Sequence, residues 1–291
     1  MPIMKRRNFL QASLASAITM PTFALEKDNP YRKNIGIQLY TLRNQINKDV
    51  KGTLKAVAEA GYRQVEAYGF PDAGPMIQAA KENGLAVHSS HFAWESVTNP
   101  RKEGVPDFRM ILEKAKDNGL THLVIPYLHG HERKTLDDYK RVAEKINEAA
   151  RKADNLGIRL AYHNHAFEFQ PLKEARTGYD VFTEEFGPEM FFEVDVFWVK
   201  VGGVEPVKLI EEQAGRVTQL HLKDLKAGMK LPNYGGVPDD AFQELGDGII
   251  PMEPIIKAAS KAGVVHCHVE QDQSPDPIAS INQSLQHLNT L

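Results

Sequence analysis

Titratable side chains recur in this sequence in pairs two residues apart, and each pair closes a short apolar run. Because alternate residues of a β-strand point to the same face, both members of a pair reach the same side of a sheet. The pairs are His163 and His165, Glu193 and Asp195, His221 and Lys223, and His268 and Glu270. Unpaired buried charges are costly, so such a cluster must neutralise itself or bind an ion. The pattern therefore predicts a site for a divalent cation.

The types of side chain in these pairs narrow the choice of ion. Imidazole and carboxylate ligands without a thiolate suit Mn²⁺, Co²⁺, Zn²⁺ or Mg²⁺, and they are not typical of a closed structural zinc site. A single His or Asp at the end of a strand is more often a hydrogen-bonded structural residue, so only the full set favours a metal. We predict one ion held by four successive strands through His163, Asp195, His221 and Glu270.

The elements that must position these residues alternate along the chain. Strand-like runs begin at residues 34, 64, 85, 122, 157, 190, 217 and 264, and a stretch of helical periodicity follows each run. Eight such repeats predict a single (β/α)8 TIM barrel over residues 25–291, with catalytic side chains at the carboxyl ends of the strands. The segment 224–250 is rich in Gly, Pro and Asp, and it is predicted to form a loop over that end of the barrel.

Composition and charge limit the partners of the protein. The 291 residues are 42% hydrophobic and carry a formal charge of −3, without long runs of like charge. This balance gives no electrostatic footprint for nucleic acid or for a membrane surface. A small neutral or modestly charged molecule is therefore the expected ligand, and the sequence does not predict an oligomeric state.

The N-terminus is predicted to be a separate segment. Residues 1–24 combine a basic start, a weakly apolar middle and a small residue, Ala24, where cleavage is expected. The pair Arg6 and Arg7 ahead of the apolar stretch resembles a twin-arginine export signal, which implies a periplasmic protein. The single cysteine, Cys267, permits no intrachain disulfide and is predicted to be a buried packing residue.

Several of the runs, in this order, resemble the xylose isomerase-like barrels of the sugar phosphate isomerase/epimerase family. The resemblance spans nearly all of residues 25–291 and rests on IGIQLYTLR, VEAYG, YHNHAFEF, EVDVFWV, LHLKD and HVEQD. It implies a metal held by Glu, Asp, His and Glu from strands five to eight, and Asp195, His221 and Glu270 match three of those positions. The fourth position departs, because His163 stands where the sugar epimerases have a Glu that is also one of two opposed bases.

The metal and its surroundings predict proton abstraction next to a carbonyl. A cation that binds a carbonyl and its neighbouring hydroxyl stabilises the enediolate formed when the intervening carbon loses its proton. We therefore predict a metal-dependent sugar isomerase or epimerase. The residues predicted to transfer protons or to stabilise the oxyanion are His165, Glu168, Lys223 and Glu270. The residues predicted to contact sugar hydroxyls are Gln38, Glu66 and His91.

Three other functions are compatible with parts of the sequence. The closest alternative is a keto-glycoside hydratase or lyase acting by β-elimination, because imidazole bound to a metal cannot replace the missing Glu as a base. Relatives with HNH followed by Glu resemble such enzymes. A metal-dependent nuclease on the same fold would need a basic groove, which the charge balance disfavours. A periplasmic sugar-binding protein would usually have two lobes, which eight repeats in one chain disfavour.

Overall fold

The structure is a computed structural model that describes Tyr31 and residues 34–291. The predicted export signal, residues 1–24, lies outside the described residues. Eight parallel strands close into a barrel in which each strand pairs with its neighbours in the chain and the last pairs with the first, which confirms the predicted (β/α)8 architecture. The barrel strands are β1 (Gly36–Gln38), β2 (Gln64–Phe70), β3 (Ala86–Phe92), β4 (His122–Ile125), β5 (Arg159–His163), β6 (Met190–Asp195), β7 (Val217–Leu222) and β10 (His266–Val269).

Helices connect the strands and cover the outside of the barrel. They are α1 (Arg43–Ile46), α2 (Val50–Ala60), α3 (Gly74–Glu82), α4 (Glu95–Thr98), α5 (Phe108–Asp117), α6 (Leu136–Asp154), α7 (Gly178–Glu185), α8 (Val196–Val201), α9 (Pro206–Glu212), α10 (Met252–Ala262) and α11 (Pro277–Thr290). Local signals set their ends. Thr135 and Asp138 form a capping box at the start of α6, and Gly61 and Gly263 end α2 and α10 in the left-handed conformation.

The register of the strands brings the polar pairs to one level of the barrel. His163 pairs with Glu193 between β5 and β6, and Asp195 pairs with His221 between β6 and β7. The apolar residues of the strands instead face the helices and form the main core, in which Cys267 is fully buried as predicted. Because the polar side chains share the inside of the barrel near its carboxyl end, they meet above this core.

Strand β6 ends earlier than the sequence pattern predicts. The apolar run extends to Val199, but the strand stops at Asp195 and α8 begins at Val196. The cause is local, because Asp195 Oδ1 accepts hydrogen bonds from the backbone N–H groups of Phe197 and Trp198 and so caps the helix. This cap fixes one carboxylate oxygen of Asp195, and the other oxygen, Oδ2, faces the ammonium of Lys223 inside the barrel.

The segment 224–250 is held tightly at the rim of the barrel. It contains a small antiparallel pair, β8 (Asp224–Leu225) with β9 (Phe242–Gln243), and Asp224 accepts hydrogen bonds from the backbone of Gly246, Gly248 and Ile250. The main cavity at this end is lined by residues of other segments. The prediction of a loop that covers the active face is therefore wrong in this respect.

Among the described residues, no helix combines the length and apolar character needed to span a bilayer.

Candidate metal centre and active site

Three of the four predicted metal ligands converge inside the barrel. Asp195, His221 and Glu270 each offer one ligand atom, and these atoms all lie within 4.8 Å of one another. All three side chains are buried. Asp195 Oδ2 is fully buried and lies 3.0 Å from the ammonium nitrogen of Lys223. A buried carboxylate oxygen that already faces a cationic group is a donor atom that a divalent cation can also use.

The fourth predicted ligand, His163, lies at the edge of this group. Its Nε2 is 3.7 Å from Asp195 Oδ2, and its Nδ1 is 3.1 Å from Glu193 Oε1. If Nδ1–H donates to Glu193, Nε2 keeps its lone pair toward Asp195. His163 can therefore complete the donor set through Nε2, with the opposite nitrogen held by a carboxylate.

The same arrangement recurs at His221. Its Nδ1 is 2.7 Å from Glu270 Oε2, whereas its Nε2 is 2.7 Å from Glu66 Oε1 and 3.2 Å from Glu193 Oε1. Metal-binding histidines commonly donate their other N–H to a carboxylate, which fixes the tautomer and the ring orientation. Two imidazoles with outer carboxylates and two inner carboxylates fit a divalent cation. The donor set is compatible with Mn²⁺, Co²⁺, Zn²⁺ or Mg²⁺.

Lys223 supplies positive charge at the centre of this cluster. Its ammonium nitrogen is 2.6 Å from Glu270 Oε2, 3.0 Å from Asp195 Oδ2 and 3.0 Å from Asp272 Oδ2. An ammonium group has three N–H donors, so these three contacts occupy it fully. Burial opposes ionisation of Glu270, but the charges of Lys223 and His221 outweigh burial and lower its pKa. The predicted role of Lys223 as an oxyanion donor would require one of these contacts to break, and we assign it instead to balancing the carboxylates.

His165 is held by aromatic rings at the wall of the cavity. Its ring is stacked on Phe167 at 5.4 Å and lies 5.3 Å from both Trp198 and Tyr127. Neither ring nitrogen makes a hydrogen bond to a described residue, and Nδ1 is buried, so Nε2 is the nitrogen that faces the cavity. Burial, followed by the charge of Lys223, lowers the pKa of His165 to about 3. The side chain is thus a neutral imidazole with a free lone pair, as a proton acceptor requires.

His91 lines the same cavity, but its surroundings favour the protonated imidazole. Its Nε2 lies 2.9 Å from Glu193 Oε1 and 3.3 Å from Glu66 Oε1. Burial opposes its charge, but the two carboxylates outweigh burial and raise the pKa of His91 to about 9. Environments that push the pKa values of two neighbouring groups apart identify an acid and a base. His91 lines the cavity, where this environment favours its protonated form.

Three predicted site residues lie outside the cavity wall. Gln38 and Glu66 are fully buried beneath it, and Gln38 Nε2 donates to Glu66 Oε1 at 2.6 Å. Glu168 is also fully buried, with Oε1 accepting from Tyr162 Oη at 2.6 Å and Oε2 from the His165 backbone N–H at 2.8 Å. Their oxygens are already engaged, which argues against the predicted contacts of Gln38 and Glu66 with sugar hydroxyls and against the predicted proton transfer by Glu168. All three position the residues that line the cavity.

Two residues of the site were given no role from the sequence, although Glu193 belongs to one of the predicted pairs. One carboxylate oxygen of Glu193 contacts the imidazole rings of His91, His163 and His221. Asp272 lines the cavity and binds Lys223. Their spacing indicates that both share a face with a predicted ligand, because Glu193 lies two residues before Asp195 and Asp272 lies two residues after Glu270. The sequence could not show which member of each pair faces the cation.

Comparison with known proteins agrees with this geometry. The sequence profile of the family described as xylose isomerase-like TIM barrel matches residues 54–291. The chain belongs to this family. Its similarity to curated members is low but extends over most of their length. Inosose dehydratase of Clostridium beijerinckii is 23% identical over 241 residues, which are 74% of this chain and 80% of that protein. Inosose dehydratase of Geobacillus kaustophilus is 25% identical over 261 residues, 78% of this chain and 82% of that protein.

Solved structures of family members superpose on the barrel. A sugar phosphate isomerase/epimerase from Parabacteroides distasonis has 26% sequence identity and a TM-score of 0.73, covering 92% of this chain and 97% of its own. An L-ribulose 3-epimerase has 17% identity and a TM-score of 0.65, covering 87% of this chain and 92% of its own, and supports the fold alone. The proteins similar to this chain thus include inosose dehydratases and a sugar phosphate isomerase/epimerase.

We expect Glu193 to act on the cation through the histidines. Glu193→Gln should weaken divalent-metal binding by about 10–100-fold, because an amide cannot accept from His163 and His221 as the carboxylate does. Competition with a chromogenic chelator would measure this affinity. Glu189→Gln, just before the same strand, is the matched control and should bind metal as the unaltered protein does. Equal affinity in the Glu193 variant would contradict the role of this residue.

The buried Glu168 should make stability depend on pH. Burial raises its pKa from the usual 4.5 to about 7, so the folded protein keeps a proton that the unfolded chain loses between these values. Its stabilising contribution is present below pH 4.5 and is lost as the pH rises through about 7. Glu168→Gln stays neutral, so its unfolding free energy relative to the unaltered protein should rise by up to about 3 kcal/mol from pH 4.5 to 8. Urea unfolding of both proteins across this range checks the difference, and a constant difference would refute it.

Proposed function

We propose that this protein is a divalent-metal-dependent keto-sugar lyase that acts by β-elimination, with a 3-keto-glycoside as the type of substrate. The proposal rests on the contacts of His163. One of its ring nitrogens faces Glu193, and the other faces Asp195. The position that supplies a base in the family's sugar epimerases is thereby committed to the metal cluster. This reverses the order of the two hypotheses that the sequence supports.

The proposed cation is held by His163, Asp195, His221 and Glu270. When bound there, a divalent metal supplies Lewis-acid polarisation of a carbonyl, which makes the neighbouring C–H bond more acidic. The protein keeps the two histidine ligands in place through Glu66 and Glu193, and Lys223 balances the remaining carboxylate charge. The cluster is almost fully buried, so its electrostatic effect on a substrate is only weakly screened by water.

Two histidines would carry the protons in the proposed reaction. His165 Nε2 takes the proton from the carbon between the keto carbon and the anomeric carbon. The electron pair forms a carbon–carbon double bond as the anomeric C–O bond breaks, and the leaving oxygen takes a proton from the His91 imidazolium. The negative charge that develops on the substrate favours the protonated form of His165, which offsets the low pKa of the resting side chain. The products are an unsaturated keto-sugar and an alcohol, or water from a hydroxyl substituent.

The relatives and the cavity give further support to a keto-sugar substrate. Inosose dehydratases, whose name describes loss of water from a keto-sugar, are similar to this chain over 74% to 78% of its length. A phosphorylated sugar is less well matched, because the lysines that line the cavity are the exposed Lys114 and the fully paired Lys223. A periplasmic location, proposed from the N-terminal sequence, also favours a sugar without phosphate.

Epimerisation is the second candidate, and the Parabacteroides distasonis isomerase/epimerase is the relative that favours it. The same pair of histidines could remove a proton from one face of a carbon and return one to the other. Proton NMR of the metal-loaded protein in D₂O separates the two reactions. With methyl 3-keto-β-D-glucoside we expect release of methanol and appearance of a vinyl proton. Incorporation of deuterium at one ring carbon, without release of methanol, would overturn elimination in favour of epimerisation.

A further inference from the structure

The carboxyl-terminal rim of the barrel is divided into two halves of different chemistry. The predicted metal ligands come from β5, β6, β7 and the segment after β10. Aromatic side chains line the same cavity at the ends of β1 to β4, and they are Tyr40, Tyr68, Trp94 and Tyr127. His165 joins the two halves, because its ring lies edge-on to Tyr127 at 5.3 Å. Neither the cation site nor the proton transfers use these four aromatic rings.

The aromatic half is held in place by its own contacts. Tyr127 packs edge-on against Phe167 at 5.5 Å, and Arg133 Nη2 donates to its hydroxyl oxygen at 3.3 Å. The ring of Trp94 lies 6.2 Å from the ring of Tyr127, nearly perpendicular to it. Rings fixed on several sides lose little freedom when a ligand stacks on them. The wall that begins at His165 is therefore a preformed surface for a flat apolar face.

The cavity is also lined by a second aromatic pair, at the ends of β1 and β2. Tyr40 and Tyr68 are arranged edge-to-face at 5.6 Å, and Arg43 lies 4.4 Å above the ring of Tyr40. Tyr40 is 43% exposed, so it stands at the entrance of the cavity. Exposed aromatic side chains over a cavity are typical of surfaces that bind a partly apolar ring.

The cavity is larger than one sugar ring requires. Its volume is about 730 Å³, which lies in the upper part of the range for sites of drug-sized ligands. A keto-sugar bound at the metal ligands would fill the half next to His165 and Glu270. We propose that Tyr40, Tyr68, Trp94 and Tyr127 form a subsite for a second ring, joined to the keto-sugar through the anomeric oxygen. This inference rests on the proposed function, in which that oxygen leaves.

The chemistry of the subsite defines the class of leaving group. A pyranose presents a face of C–H groups, an aryl group presents a π face, and both stack on Tyr and Trp rings. The charged side chains that line this half, Asp72 and Lys114, are exposed at its edge and do not define an ionic pocket. The occupant is therefore an uncharged ring, either a second sugar or an aryl aglycone.

Binding of glycosides without a keto group tests the subsite without any turnover. Calorimetry on the metal-loaded protein should show phenyl β-D-glucoside, cellobiose or both binding at least about tenfold more tightly than methyl β-D-glucoside. Trp94→Ala should abolish this advantage and leave methyl β-D-glucoside unchanged. Tyr68→Ala, on another strand, should reduce the advantage independently. Tyr234→Ala removes an aromatic ring outside the cavity and should have no effect.

The outcomes separate this inference from the proposed reaction. A preference for phenyl β-D-glucoside supports an aryl aglycone, whereas a preference for cellobiose supports a second sugar. Equal binding of all three glycosides, or an advantage that survives in both the Trp94 and the Tyr68 variant, would overturn the subsite. Because these ligands are not turned over, failure of elimination in the NMR experiment does not affect the result. Conversely, release of methanol from the methyl keto-glucoside would stand even if the subsite were absent.

Discussion

Replacing Asp195 by Asn should remove the cation and the activity while the fold survives. Asp195 Oδ1 caps α8, and the amide oxygen of Asn can accept the same hydrogen bonds from Phe197 and Trp198. Oδ2, the proposed ligand atom, would become an NH₂ group that cannot bind a cation. We expect metal affinity to fall by more than the 10–100-fold that loss of an outer partner causes, and turnover to fall below detection. Metal analysis after dialysis and circular dichroism measure the two properties.

A second Asp that caps a helix provides the control for this substitution. Asp107 Oδ1 accepts a hydrogen bond from the backbone N–H of Met110 at the start of α5, away from the cluster. Asp107→Asn therefore changes a cap without changing the proposed site, and it should retain metal and activity. Glu270→Gln should lose both, as Asp195→Asn does. If the Asp195 variant kept full activity, this residue would be excluded from the site.

Replacing His165 by Phe should separate proton transfer from metal binding. Phe keeps the aromatic contacts with Phe167, Trp198 and Tyr127 but has no nitrogen. Because a positioned general base typically contributes about 10²–10⁴-fold, kcat should fall by that factor. The metal content should not change, since His165 belongs to none of the ligand groups that converge in the described residues. Steady-state kinetics with the metal-loaded variant, beside its metal analysis, test both statements.

The control for this variant is another histidine near the same rim. His131 is exposed and does not line the cavity, so His131→Phe should keep kcat within about twofold of the unaltered protein. A His165→Phe protein with kcat within about threefold of the unaltered value would exclude His165 as the base. In that case Asp272, which lines the cavity beside Lys223, would be the next residue to replace.

The fold and the core of the site could be predicted because their signals are local. Alternation within a strand decides which side chains share a face, and eight repeats decide the barrel. These two rules suffice to bring Asp195, His221 and Glu270 together, and the structure places their ligand atoms within 4.8 Å. The departure at His163 was also visible, since it is a difference in residue type at one strand end.

The roles of the surrounding residues depended on contacts that local patterns do not contain. Glu168 follows His165 by three positions, but a turn directs its carboxylate back to the His165 backbone and to Tyr162. Lys223 shares a face with His221, yet three carboxylates from two other segments determine what its N–H groups can do. Such contacts follow from the closure of the barrel, which joins residues far apart in the chain. The early end of β6 also depends on such a contact. The Asp195 side chain caps α8, so the helix begins although apolar residues continue along the chain.

The most direct test of the account is a crystal structure of the protein loaded with Mn²⁺, examined by anomalous scattering. We expect a single peak about 2.0–2.3 Å from His163 Nε2, Asp195 Oδ2, His221 Nδ1 and Glu270 Oε2, with the ammonium of Lys223 moved aside. A peak that instead lies between His91, Glu66 and Glu193, or no peak within reach of Asp195 and Glu270 in the loaded protein, would contradict the central claim.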